Sequence, residues 1–170
     1  YVKVPTVARR KNFSKGNLTD EELDALKIED AINIHERTKV HLELYAKNNN
    51  RHIVKPFMLV VCKDTEHAKT VFDFIKSKEF RNGEYALKTI TTHSKQTGAE
   101  RDDNVRALLD VEQPDNSVEI VIHVNVLKEG WDVNNLFTIV PLRTATSKVL
   151  REQTIGRGLR LPYGERTGDK

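Results

Sequence analysis

Two apolar runs constrain this chain more than any other feature. Phe57-Met-Leu-Val-Val-Cys62 follows Pro56, has no polar interruption and stops at Lys63-Asp64. Val118-Glu-Ile-Val-Ile-His-Val124 is almost as apolar. A strand with one wet face alternates apolar and polar residues, whereas an unbroken β-branched run is buried on both faces. Both runs are too short for a core helix, so they read as buried strands. Residues 86–92 and Phe137-Thr-Ile-Val140 read as two more.

The segments between them carry helical spacing. Residues 65–79 place Ala68, Val71, Phe72 and Ile75 on one face; residues 98–111 carry Val105, Leu108 and Leu109; residues 147–160 form a last helical stretch. Upstream, Thr19-Asp-Glu-Glu22 is a capping box ahead of Leu23, Leu26 and Ile28. A second helical stretch, with Ile32, Ile34, Val40, Leu42, Leu44 and Tyr45, ends at Asn48-Asn49-Asn50. Strands alternating with such helices predict βαβ units and a mostly parallel sheet covered on both faces. The expected organisation is a basic arm or linker over 1–18, a helical lead-in over 19–52 and an α/β domain over 53–170. Ligands of such sheets bind beyond the carboxyl ends of the strands. The loops after Cys62, Thr92, Val124 and Val140 are therefore the places to look.

Composition narrows the class. A chain of 170 residues predicts one domain and buries enough surface to need no staple. With 31% charged and 38% hydrophobic residues it is not a disordered segment. No apolar run nears the roughly 18–20 residues of a membrane helix, so no membrane partner is expected. The single cysteine, Cys62, excludes an internal disulfide and predicts a reducing, cytoplasmic setting. The first residue is Tyr1, which predicts a piece of a longer chain. Net charge is +3, yet residues 1–17 carry five basic residues and no acid. Residues 143–170 carry seven basic residues against three acids, so the middle is net acidic. Basic ends suit phosphate contact, or a solvated tail and a surface helix.

Several patterns fail on their context. Asp20-Glu21-Glu22-Leu23 resembles a Walker B box but lacks the preceding strand, and reads as a helix cap. Pro114-Asp115 followed by Glu119 resembles a nuclease carboxylate pair, but position 121 is Val where a lysine is needed. A turn before a strand fits better. Asn12-Phe13-Ser14 and Asn17-Leu18-Thr19 match the glycosylation sequon with nothing to suggest secretion. His35, His41, His52, His67, His93 and His123 form neither HExxH nor a Cys/His cluster, so no metal site is predicted. GxxxxGK(S/T) and GxGxxG are absent, so the chain carries no phosphate cradle.

Gln153-Thr-Ile-Gly156-Arg157-Gly158-Leu159-Arg160 stands out. On a helix, Gln153, Gly156, Arg157 and Arg160 fall within about 100° of one another, with Ile155 and Leu159 opposite. Two guanidiniums on one face repel unless an anion lies between them. Each glycine costs about 1 kcal/mol inside a helix, which suits a close approach of ligand or neighbour. An exposed basic helix accounts for the same residues, and both readings stand at this point.

These residues resemble motif VI (QxxGRxxR) of superfamily 2 helicases and translocases. Val118–Val124 followed by Asn125-Val-Leu-Lys128-Glu-Gly130-Trp131-Asp132-Val133 resembles motif V, whose core is Gly-x-Asp. Pro56–Lys63 and the following helix are similar to the motif IV region, and His93-Ser94, Arg101 and the helix to Leu109 to the segment between IV and V. Order and spacing agree across about residues 53–162. The Lys128–Val133 form of motif V, with Gly158-Leu-Arg-Leu-Pro162 closing motif VI, looks most like the restriction (Res) subunit of type III restriction enzymes. Two departures stand out: His123-Val-Asn125-Val replaces the usual hydroxyl residue of motif V, and residues 1–50 are only weakly covered.

The resemblance implies the second of two RecA-like domains, with ATP and Mg²⁺ bound mainly by the first. Arg160 would be the arginine finger, Arg157 would hold the γ-phosphate, and Gln153 would position the water or phosphate. Asp132 would bind the ribose or couple nucleotide to motif VI, and Gly130 and Gly156 would let backbone come close. His93, Ser94, Asn125 and Lys128 would touch the backbone of double-stranded DNA without reading sequence. The implied partners are the first RecA-like domain of the same parent chain and a modification methyltransferase subunit. The implied parent is an ATP-dependent type III site-specific deoxyribonuclease, and the isolated chain should be inactive. The alternatives are a motor domain of another superfamily 2 helicase, of type I restriction or repair, and a non-catalytic α/β binding module.

Overall fold

The computed structural model describes residues 3, 4, 6–92, 110–124, 133–142 and 163. Helix α1 spans Asp20–Asn48, strand β1 Phe57–Cys62, helix α2 Thr65–Lys76, β2 Thr89–Thr92, β3 Ile120–Val124 and β4 Leu136–Pro141. The strands form one sheet in the order β2-β3-β1-β4, and every pairing is parallel. This is the parallel α/β sheet that the apolar runs predict, with the helical lead-in, and it fits the RecA-like fold that the resemblance implies.

Register follows from burial. β1 and β3 are buried along their whole lengths, and they pair Met58 with Ile120 through Cys62 with Val124. Met58, Val60, Cys62, Ile120, Ile122, Val124, Val140 and Leu142 face one side. There they pack on Ile28, Ala31 and Ile32 of α1 and Ala68, Val71 and Ile75 of α2. Phe57, Leu59, Val61, Val121 and Leu136 face the other side with Val111, Val118 and Val133. Both described helices thus lie on one face. The helix expected over 98–111 falls largely outside the described residues; Val111, at its end, is fully buried in a turn on the opposite face. The helix expected over 147–160 lies wholly outside them.

Two expectations change. The lead-in is one helix of 29 residues, about 43 Å long, where the sequence suggested two stretches. No Gly or Pro interrupts residues 20–48. The buried stripe Asp24, Ile28, Ala31, Ile32, His35, Leu42 and Ala46 is spaced to lie along one side of a continuous helix. β2 begins at Thr89 rather than 86, because Arg81, Asn82 and Gly83 all take positive φ in a short 3₁₀ turn and the chain stays in turns through Leu87. The capping box is as predicted: Thr19 Oγ1 accepts from the Glu22 amide (3.1 Å), and Glu22 Oε2 accepts from the Thr19 amide (2.7 Å). Pro114 and Asp115 lie in a turn before β3.

The basic arm is less free than its charge suggested. Arg10 pairs with Asp30 (2.7 Å) and Lys15 with Asp20 (2.6 Å), both on α1. Lys3 Nζ donates to the carbonyls of Asn134 (2.7 Å) and Leu136 (3.0 Å) and sits 4.2 Å from the centre of the Phe137 ring. Burial there lowers its pKa to about 8, against the opposing charge of Glu112.

Candidate functional site

In a parallel sheet all strands deliver their loops to one edge, so the carboxyl edge is where chemistry concentrates. β1 ends there at Cys62, and Lys63-Asp64 turns the chain into α2. Asp64 caps that helix, its Oδ1 accepting from the His67 amide (2.8 Å). That hydrogen bond, first among its causes, lowers the Asp64 pKa. β2 and β3 reach the same edge side by side, with Thr92 in register with His123. Thr92 Oγ1 lies 2.8 Å from His123 Nδ1, and both residues are buried.

A second buried imidazole lies on the helical face of this edge. His67 Nε2 is 2.7 Å from Asp24 Oδ2, with both side chains almost fully buried. The Lys63 amide donates to His67 Nδ1 at 3.1 Å. A backbone amide can only donate, so Nδ1 carries the lone pair and Nε2–H donates to Asp24.

The opposite edge carries a larger group. Glu119 immediately precedes β3, and its Oε2 lies 3.0 Å from His35 Nε2 and 3.1 Å from Lys39 Nζ. Lys88 Nζ is 3.5 Å from its other oxygen. Burial alone would raise the Glu119 pKa; the hydrogen bonds from His35 and Lys39 and the charges of Lys39 and Lys88 outweigh it and hold it at about 2. Glu36 joins through Lys39 (3.4 Å), and the Tyr85 hydroxyl donates to it. His35, Glu36 and Glu119 bring ligand atoms within 4.8 Å of one another, as a metal site does. Lys39 already stands as the cation between the two carboxylates, and a metal would have to displace it. Glu119 therefore anchors a helix rather than acting in a nuclease pair.

The residues singled out from sequence, His93, Ser94, Asn125, Lys128, Gly130, Asp132, Gln153, Gly156, Arg157 and Arg160, all lie outside the described residues. What is described is their approach: β2 ends one residue before His93, and the neighbouring β3 ends one residue before Asn125. Downstream, Tyr163 meets the carboxyl end of α1, its ring centre 5.8 Å from that of Tyr45 and 5.0 Å from that of His52. The Tyr163 hydroxyl donates to the His52 carbonyl at 3.3 Å. The Asp24–His67 and Glu119–His35 pairs escaped sequence reading. A signal for the second was present: an acid beside a buried strand needs a cationic partner. No helix among the described residues is long and apolar enough to cross a membrane.

A family model of the helicase conserved C-terminal domain matches residues 36–162, about three quarters of the chain. Three curated relatives match shorter stretches. The type III restriction-modification enzyme EcoPI Res subunit of Escherichia phage P1 is 43% identical over 51 residues, 30% of this chain and 5% of that protein. The EcoP15I Res subunit of Escherichia coli matches equally. The StyLTI Res subunit of Salmonella typhimurium is 51% identical over 39 residues, 23% of this chain and 4% of that protein. The match thus spans about a twentieth of each relative's length.

Proposed function

The chain belongs to the helicase conserved C-terminal domain family, and on that premise we propose that it is the second motor domain of an ATP-dependent double-stranded DNA translocase of the type III restriction kind. The observation that carries this reading is the coincidence of an all-parallel sheet with local identities of 43–51% to three Res subunits. Those identities favour type III over type I restriction motors and repair helicases. We read 1–18 as an arm, 19–52 as the lead-in and 53–170 as the motor domain.

The donor set fits half of a nucleotide site. Arg157 and Arg160 suit a phosphate, and Asp132 suits a ribose, but no GxxxxGK(S/T) holds the phosphates. Among the described residues, the three-ligand group at His35 is filled by Lys39. ATP and Mg²⁺ therefore belong mainly to the first motor domain, and bound ATP would supply the phosphoanhydride whose cleavage drives movement. Arg160 would stabilise charge developing on the transferred phosphoryl group, and Arg157 would hold the γ-phosphate. Gln153 would orient the water, with Gly130 and Gly156 giving backbone access. His93, Ser94, Asn125 and Lys128 would hold the DNA backbone through sequence-independent contacts. A methyltransferase subunit would supply recognition, and a cytoplasmic setting follows from that partnership.

DNA-stimulated ATP turnover of the parent tests the reading. Asn125→Ala with Lys128→Ala should raise the DNA concentration needed for half-maximal stimulation at low salt, with a shallower salt dependence than the unaltered enzyme. The purified 170-residue chain should hydrolyse no ATP. Turnover by that chain alone would overturn the division of labour, and DNA stimulation indifferent to both substitutions would remove the DNA role.

A further inference from the structure

The geometry points to His67 as an acid-responsive latch: its neutral form fixes the Lys63-Asp64 turn at the carboxyl edge, and protonation frees that turn while leaving α1 docked through Asp24. His67 receives one bond and makes another. The Lys63 amide donates to Nδ1 (3.1 Å), and Nε2–H donates to Asp24 Oδ2 (2.7 Å). The His67 and Asp24 side chains are at least nineteen-twentieths buried, which shields their bond from water, whereas the bond from the Lys63 amide is part-buried.

Adding a proton to Nδ1 sets two donors head to head, Nδ1–H against the Lys63 N–H. That bond has to open. The bond at Nε2 responds in the opposite sense, because imidazolium and carboxylate attract. The surrounding charges favour this outcome. From α1, Asp24 faces the ring and Glu21 lines the same small groove. From the turn, Asp64 caps the His67 amide and Lys63 Nζ pairs with Asp64 at 3.4 Å. From β1, Cys62 is buried on the sheet face that packs against α1 and α2. From α2, Thr70 lines the groove without charge. Among the described residues, the carboxylates of Asp24, Glu21 and Asp64 and the ammonium of Lys63 surround the ring, and a second ring proton meets its conflict at the Lys63 amide. The consequence lies at the edge where sheets of this kind take ligands. None of it depends on the motor assignment.

Nitrogen-15 NMR of the 170-residue chain tests this directly. At neutral pH the His67 ring should be the Nε2–H tautomer. As the ring titrates, the protection factor of the Lys63 amide should fall about tenfold, the worth of one hydrogen bond. Amides of α1 around Ile28 should keep theirs. His67→Gln carries a donor and an acceptor that do not titrate, so its Lys63 amide should show no step across pH. An Nδ1–H tautomer at neutral pH would overturn the latch. So would a Lys63 protection factor constant through the titration, a simultaneous loss of protection along α1, or a ring that stays neutral until the chain unfolds.

Discussion

An acid set directly before a buried strand must be answered or it costs several kcal/mol, and Glu119 is answered three times. His35, Lys39 and Lys88 converge on its two oxygens and hold its pKa at about 2, well below the ordinary 4.5. A carboxyl whose folded pKa lies below its unfolded one stabilises the fold fully above the unfolded value and loses that stabilisation as pH falls through the folded one. Stability should therefore decline between about 4.5 and 2 through this group. Glu119→Gln keeps the shape and removes the charge, leaving His35 and Lys39 with weaker partners. Urea unfolding at neutral pH should show a loss of about 2–3 kcal/mol. The gap to the parent sequence should narrow as pH falls toward 2. A gap that is constant across that range would remove Glu119 as its source.

At the scale of elements, α1 is held at two points by reciprocal pairs. It gives an acid to the carboxyl edge, Asp24 to His67, and a histidine to the amino edge, His35 to Glu119. Between them Ile28, Ala31 and Ile32 are buried in the core. Ile32 is fully buried, and Ile32→Ala should cost about 2–5 kcal/mol in urea unfolding. Thr19→Ala should cost about 1 kcal/mol through loss of the cap. Equal costs for the two would mean that α1 is held by its own propensity rather than by packing. Among the described residues β4 is an edge strand, and Leu142 donates to the Val61 carbonyl (2.9 Å), so Pro141 turns its missing donor away from β1. That is where a proline is tolerated in a sheet.

The strands were legible in the sequence because burial on both faces writes itself as unbroken apolar runs, as at 57–62 and 120–124. The capping box was legible because it is local. The continuity of α1 was not: its buried stripe includes the polar Asp24 and His35, whose partners come from residues 67 and 119. Those partners are 43 and 84 residues away in the chain, beyond the reach of periodicity. The candidate site divides in the same way. Its residues were named from short motifs, whereas the buried imidazole at His67, which flanks that edge, belongs to none.

For the whole molecule, the proposed function would make this domain one wall of a nucleotide site whose other wall is a separate motor domain, and its basic carboxyl-terminal stretch would bring Arg157 and Arg160 to a phosphate held there. The direct measurement is steady-state ATP turnover of the full parent enzyme, with saturating DNA, for Arg160→Ala beside the unaltered sequence. The account predicts a loss of about 10³–10⁵ in turnover, the range in which arginine fingers act. Turnover within a few-fold of the unaltered enzyme would contradict it.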